Sequence, residues 1–213
     1  MIRSKAHLCS LLAIMAASLF SAPVRATQVC DGTGVSYRDR AAALYARGNL
    51  SGAVLEIQEG IARCPDEPFY YFMLGNAWYR AGKLADAARA YEAFLKARPD
   101  HFEGQISLGF TLRKLKDARG ARDHWTDALH LQPSSPLAHA ALAVALFELN
   151  DAQDAVVHYD RAVSLDGRYG CPKDLAVDIR WDSETLNALG RVSHLSQSYQ
   201  SVQCPAEGSN PRG

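Results

Sequence analysis

From Tyr37 onward the apolar residues recur every three or four positions, and the whole pattern returns every 34 residues. Ala53, Ala87, Ala121 and Ala155 fall in one column at that period, and Ile57, Tyr91, Trp125 and Tyr159 in another. Ala41, Gly75, Gly109 and Ala143 form a column that is always small. Leu74, Leu108 and Leu142 form another, as do Leu44, Trp78, Leu112 and Leu146. Spacings of three and four are the mark of a helix with one buried face. Gly48, Gly82, Lys116 and Asn150 share a column that interrupts the pattern as a turn does. Pro65, Pro99 and Pro133 share a column that Gly167 continues. Proline cannot continue a helix, so this column closes each unit. Each period therefore predicts two helices joined by a tight turn. The small column lets the two helices approach, and the large column four residues after the alanine fills the space between successive units.

Self-similarity of this kind is the signature of a repeat architecture. The run Tyr71, Leu74-Gly75, Trp78, Ala87, Tyr91, Pro99 resembles the tetratricopeptide-repeat signature, and the resemblance covers residues 34–169 in units 34–67, 68–101, 102–135 and 136–169. It implies an all-α fold, a right-handed superhelix of four helical hairpins. The outer units depart from the pattern, with Arg40 in place of leucine and Gly60 late in the first unit's second helix. End units stack on one side only, so atypical sequence is expected there.

After residue 169 the period fades. Asp174 to Trp181 suits a short helix, and from Ser183 the spacing of Leu186, Leu189, Val192, Leu195 and Tyr199 predicts a longer one. Residues 170–203 are accordingly expected to cap the exposed face of the fourth unit, with 204–213 as a flexible tail. At the other end, Arg3 and Lys5 precede an apolar run from Leu8 to Phe20, and Val24-Arg25-Ala26 follows. That layout is a secretory signal peptide over residues 1–26, followed by a lead at 27–33. The run is short for a bilayer span, and an N-terminal anchor facing the periplasm is the alternative.

Lysine plus arginine and aspartate plus glutamate number 23 each. Loss of Arg3, Lys5 and Arg25 with the leader leaves 20 basic against 23 acidic side chains. Neither balance attracts nucleic acid or an anionic membrane, and no stable membrane insertion is expected after cleavage. Cys30, Cys64, Cys171 and Cys204 remain, an even number that suggests disulfides in an exported chain. Hairpin geometry places the start of one helix beside the end of the next, which pairs Cys30 with Cys64 and Cys171 with Cys204. Metal binding or thiol chemistry is the competing reading, but there is no Cys-x-x-Cys spacing.

No nucleophile stands beside a base, and no metal-ligand spacing is present, so neither a catalytic residue nor a cofactor is predicted. His124 and His158 occupy equivalent places in successive units and read as two solvated histidines on the outer wall. Asp151, Asp154 and Asp160 read as a solvated acidic face. Function then has to come from a surface. The resemblance implies a concave groove lined by the first helix of each unit. Its register selects Arg38, Ala42 and Tyr45; Phe69, Phe72, Asn76 and Tyr79; Ile106, Phe110 and Arg113; and Ala140, Val144 and Phe147. Aromatic residues and arginine are frequent interface anchors, although the same large residues can instead pack between units. The expectation is a periplasmic bacterial scaffold or adaptor whose partner is a protein, peptide or helix. A self-associating homo-oligomeric subunit is the alternative.

Overall fold

The computed structural model describes residues 36–171, Leu175 and residues 180–196. Among them are four helical hairpins: α1 (Tyr37–Ala46) with α2 (Leu50–Arg63), α3 (Phe69–Arg80) with α4 (Leu84–Ala97), α5 (Phe102–Lys114) with α6 (Ala118–Leu131), and α7 (Pro136–Glu148) with α8 (Ala152–Leu165). A 3-10 turn at Gly167–Gly170 and α9 (Ser183–Ser193) follow. Consecutive helices pack side by side, and α5 also touches the first helices before and after it, α3 and α7. The result is a helical-repeat superhelix.

Local chemistry sets the boundaries. Ser36, Asn49, Asp117, Ser135 and Asp151 each accept a backbone N–H of the first turn they precede, which satisfies a donor that the helix itself cannot. α2, α4 and α6 end at Arg63, Ala97 and Leu131, each two residues before the recurring proline. The residue before a proline is pushed out of the helical region, so the helix must stop there. All four members of the turn column are left-handed: Gly48 at φ 78°, Gly82 at 75°, Lys116 at 69° and Asn150 at 65°.

The core follows the columns. Ala41, Ala53, Ala87, Ala121, Ala143 and Ala155 are fully buried, as are Trp125 and Tyr159. A methyl group at Gly75 would collide with the Tyr91 ring, and one at Gly109 with the Trp125 indole. Gly60 is explained the same way. It lies against the buried ring of Tyr70 at the junction of the first two units, whereas at the next junction Phe94 is the large residue and Gly104 the small one.

α9 starts at Ser183, as its spacing predicts, and is capped by Asp182, whose carboxylate accepts the N–H of Thr185 at 2.8 Å. Three expectations are corrected. α9 closes at Ser193, leaving Leu195 half-exposed. His124 and His158 are half-buried and bonded to their own units' first helices, to Gln105 at 2.6 Å and to His139 at 2.9 Å. Nor are the acids only a solvated face, since Asp151 caps α8 and Asp160 accepts the Ser196 hydroxyl. The proposed leader, Cys30, Cys204, Tyr199, the tail and most of the segment 174–181 lie outside the described residues.

Candidate functional site

The first helices α1, α3, α5 and α7 line the inner face, and their residues there fall into two groups. Arg38 is exposed, with its guanidinium 5.8 Å from the Phe69 ring. Tyr45, Phe69, Phe72, Asn76 and Tyr79 are half-buried, and Ala42 is exposed. Tyr45, Phe72, Asn76 and Tyr79 converge with Tyr91, Glu103, Ser107, Phe110 and Arg180 on an open hollow of about 250 Å³.

The second group is corrected from groove to core. Ile106, Phe110, Ala140 and Val144 are at most 1 % exposed, and Arg113 is 4 % exposed. The cause is the C-terminal segment. α9 packs on α7 and α8, as a cap should, but residues 180–182, which lead into it, lie against α5. Trp181, 3 % exposed, sets its indole edge-on to Phe110 at 5.5 Å, and Phe110 meets Trp125 at 5.0 Å. Arg113 donates to the Thr185 hydroxyl and to the Glu148 carboxylate, each at 2.7 Å. Lys114 pairs with Asp182 at 3.1 Å, Lys116 with Glu184 at 2.5 Å, and Arg180 with Glu103 at 3.2 Å. Burial opposes ionisation of Asp182, yet its Thr185 and Lys114 donors prevail and hold the carboxyl below its ordinary value. Phe147 is half-buried under Arg191 of α9, at 5.0 Å. Among the described residues, the C-terminal segment thus covers much of the groove across units three and four, and the groove stays open across units one and two as far as the near edge of unit three.

One edge of the groove carries a ladder between units. Arg80 lies over Tyr45 at 4.9 Å and donates to the Tyr45 carbonyl at 3.0 Å. Lys114 lies over Tyr79 at 4.9 Å, one repeat on. At the next rung the pair is Arg113 with Glu148, and at the last Phe147 receives Arg191 from the cap. A cation above an aromatic face is drawn to the ring's negative π surface.

Asn76 is oriented by its neighbour. The Tyr91 hydroxyl donates to Asn76 Oδ1 at 2.7 Å, so the amide nitrogen is directed away from that bond with two donors available at the hollow. Burial pushes the Tyr91 phenol well above its ordinary value, which keeps it a proton donor. Sequence reasoning missed Tyr91, Ser107, Glu103 and Arg180. The large-residue column contained Tyr91, but nothing in the period indicated that a side chain of the second helix reaches through to the groove. The described residues hold no cluster of three or more metal-ligating side chains and no helix long and apolar enough to cross a membrane.

An array of stacked helical hairpins with an inner face partly covered by its own terminus defines a helical-repeat protein. The tetratricopeptide-repeat family model matches residues 68–101, a second model of the same repeat matches residues 107–169, and the chain belongs to that family. Protein FlbA of Caulobacter vibrioides is 24 % identical over 210 residues, covering 84 % of this chain and 35 % of FlbA. The chain thus spans about a third of the length of that relative. Among solved structures, a MamA protein superposes with a TM-score of 0.62 at 16 % identity, covering 78 % of this chain and 85 % of MamA. MamA from Desulfovibrio magneticus RS-1, from residue 41 to its end, gives a TM-score of 0.61 at 21 % identity, covering 76 % and 94 % respectively. These likenesses show the fold.

Proposed function

We propose that this chain is a non-enzymatic adaptor that holds a partner peptide or helix in the open half of its groove, across units one and two. The observation that carries the reading is Asn76. Its amide is fixed by Tyr91 in a hollow walled by Tyr45, Phe72 and Tyr79, so two donors face a space with an aromatic lining. Backbone carbonyls of a bound peptide are the natural acceptors, and the rings supply apolar area without much loss of rotamer entropy. The proposal narrows the predicted site to Arg38, Tyr45, Phe69, Phe72, Asn76 and Tyr79, and removes the buried residues of units three and four from it.

The envelope setting belongs to the same reading and rests on the leader-like pattern of residues 1–26, so the exported chain is expected to begin at Thr27. So do the pairings Cys30–Cys64 and Cys171–Cys204. Cys64 and Cys171 are buried at opposite ends of the array, where such pairings would place them. Such bridges would restrain the ends, where fraying begins.

Capture from envelope extract with the processed chain tests the adaptor reading. Asn76→Ala is expected to weaken capture about tenfold, as loss of a central anchor does, with little change in melting temperature. Undiminished capture by both Asn76→Ala and Phe72→Ala would remove the groove from consideration.

A further inference from the structure

The chain displays, on its third unit, how this inner face takes an extended segment. Trp181 sits on Phe110, and the two acids that follow sit on cations: Asp182 on Lys114 at the end of α5, Glu184 on Lys116 in the turn beyond it. One repeat earlier the same scaffold carries the same kind of charges with no carboxylate on them among the described residues. Arg80 is the repeat equivalent of Lys114, and Lys83 stands in the turn beyond α3. Both are exposed, and neither meets a carboxylate among the described residues. Each is held instead over a ring, Arg80 above Tyr45 at 4.9 Å and Lys83 above Trp78 at 4.4 Å, which positions the charge without neutralising it. Tyr45, the ring beneath Arg80, also walls the hollow of about 250 Å³, together with Phe72 and Tyr79. Its one acid, Glu103, is already paired with Arg180 at 3.2 Å.

We infer that the open half of the groove selects an acidic partner segment bearing one large apolar or aromatic side chain. The inference rests on the adaptor reading and names its partner class. The ring enters the hollow, a backbone carbonyl meets Asn76, and one or two carboxylates lie on Arg80 and Lys83. The occupant repeats on unit two the pattern that Trp181, Asp182 and Glu184 form on unit three. Charges at the rim of an interface steer encounter and exclude wrong partners more than they add raw affinity, so the cations confer selectivity and the ring confers most of the grip.

The probe is a fluorescent synthetic peptide with the sequence of residues 180–186, Arg-Trp-Asp-Ser-Glu-Thr-Leu, added to the full processed chain and read by anisotropy. A second peptide carries lysine in place of the aspartate and glutamate. The acidic peptide is expected to bind at least tenfold more tightly than the lysine peptide at low salt. Raised salt should narrow the gap, and the double variant Arg80→Glu, Lys83→Glu should abolish it. Equal binding of the two peptides, or a preference that survives the double variant, overturns the inference. If that equal binding still falls with Asn76→Ala, the groove reading stands without its charge selectivity. If neither peptide binds, the partner class assigned here is wrong, and the adaptor reading is then judged by its own capture experiment.

Discussion

At Gly75 and Gly109 the repeat demands a missing side chain. An added Cβ would meet the Tyr91 ring in one case and the Trp125 indole in the other, and both rings are locked in the core. Neither ring is the far end of a flexible chain, so the helices themselves would have to part. Overpacking of this kind costs about 1–3 kcal/mol. Gly109→Ala is accordingly expected to lower the melting temperature by several degrees, read by circular dichroism, whereas alanine at the exposed Asp127 should leave it almost unchanged. The small column was legible in the sequence because it recurs at one period. The reversal of partners between Gly60 with Tyr70 and Phe94 with Gly104 was not, since each looks like an irregularity until the two helices are seen face to face.

Between elements, the fourth hairpin is linked differently from the third. In unit three, Gln105 donates its amide to the Pro99 carbonyl at 2.8 Å and pairs with His124 through Oε1. In unit four, His139 replaces the glutamine, with Nε2 3.1 Å from the Pro133 carbonyl and Nδ1 2.9 Å from His158 Nδ1. With the His139 proton on Nε2, as the carbonyl requires, its Nδ1 accepts and His158 donates; a proton added to His139 Nδ1 faces that donor. Burial lowers the affinity of both rings for a proton, the approach of His139 lowers that of His158 further, and Arg161 disfavours charge on His139, against the opposing carboxylate of Asp154. Arg122 and His130 border the same outer recess. Since the folded values lie below the unfolded one near 6.5, the unfolded chain takes up more protons below that pH. The contribution is therefore complete above about pH 6.5 and is lost as pH falls through it toward the folded values. Urea unfolding between pH 7.5 and 5 is expected to show this loss, and His139→Gln, which rebuilds the unit-three arrangement, should reduce its slope. An unaltered slope in that variant would assign the acid sensitivity elsewhere, with His124 the next residue to test, because burial lowers its proton affinity too.

For the whole molecule, the decisive feature is that the terminus closes half of the groove. Arg113 joins three elements there, bonded to Thr185 of α9 and Glu148 of α7 from its own place in α5. The groove register selects it as a contact residue, whereas the structure makes it a tie between elements. Truncating one member of a fully buried ion pair costs about 3–5 kcal/mol, and the loss here is smaller because Glu148 is only partly buried. Arg113→Ala should therefore lower the stability of the α5–α9 region, seen as faster amide exchange in α9, while Asn76→Ala leaves exchange there unchanged. The amino-acid pattern determined the class, the hairpin boundaries and the small and large columns, because these depend on spacings of three, four and 34 residues within the chain itself. It also indicated an amphipathic cap. Which inner-face residues stay accessible was decided only by tertiary structure. Phe72 and Phe110 are one register position apart on neighbouring first helices and both border the hollow, yet Phe72 is half-buried while Phe110 is sealed to 1 % exposure beneath Trp181, 71 residues farther along the chain. Local periodicity records which face of a helix is apolar. It carries no information on which distant segment comes to cover that face, and here that covering separates groove from core.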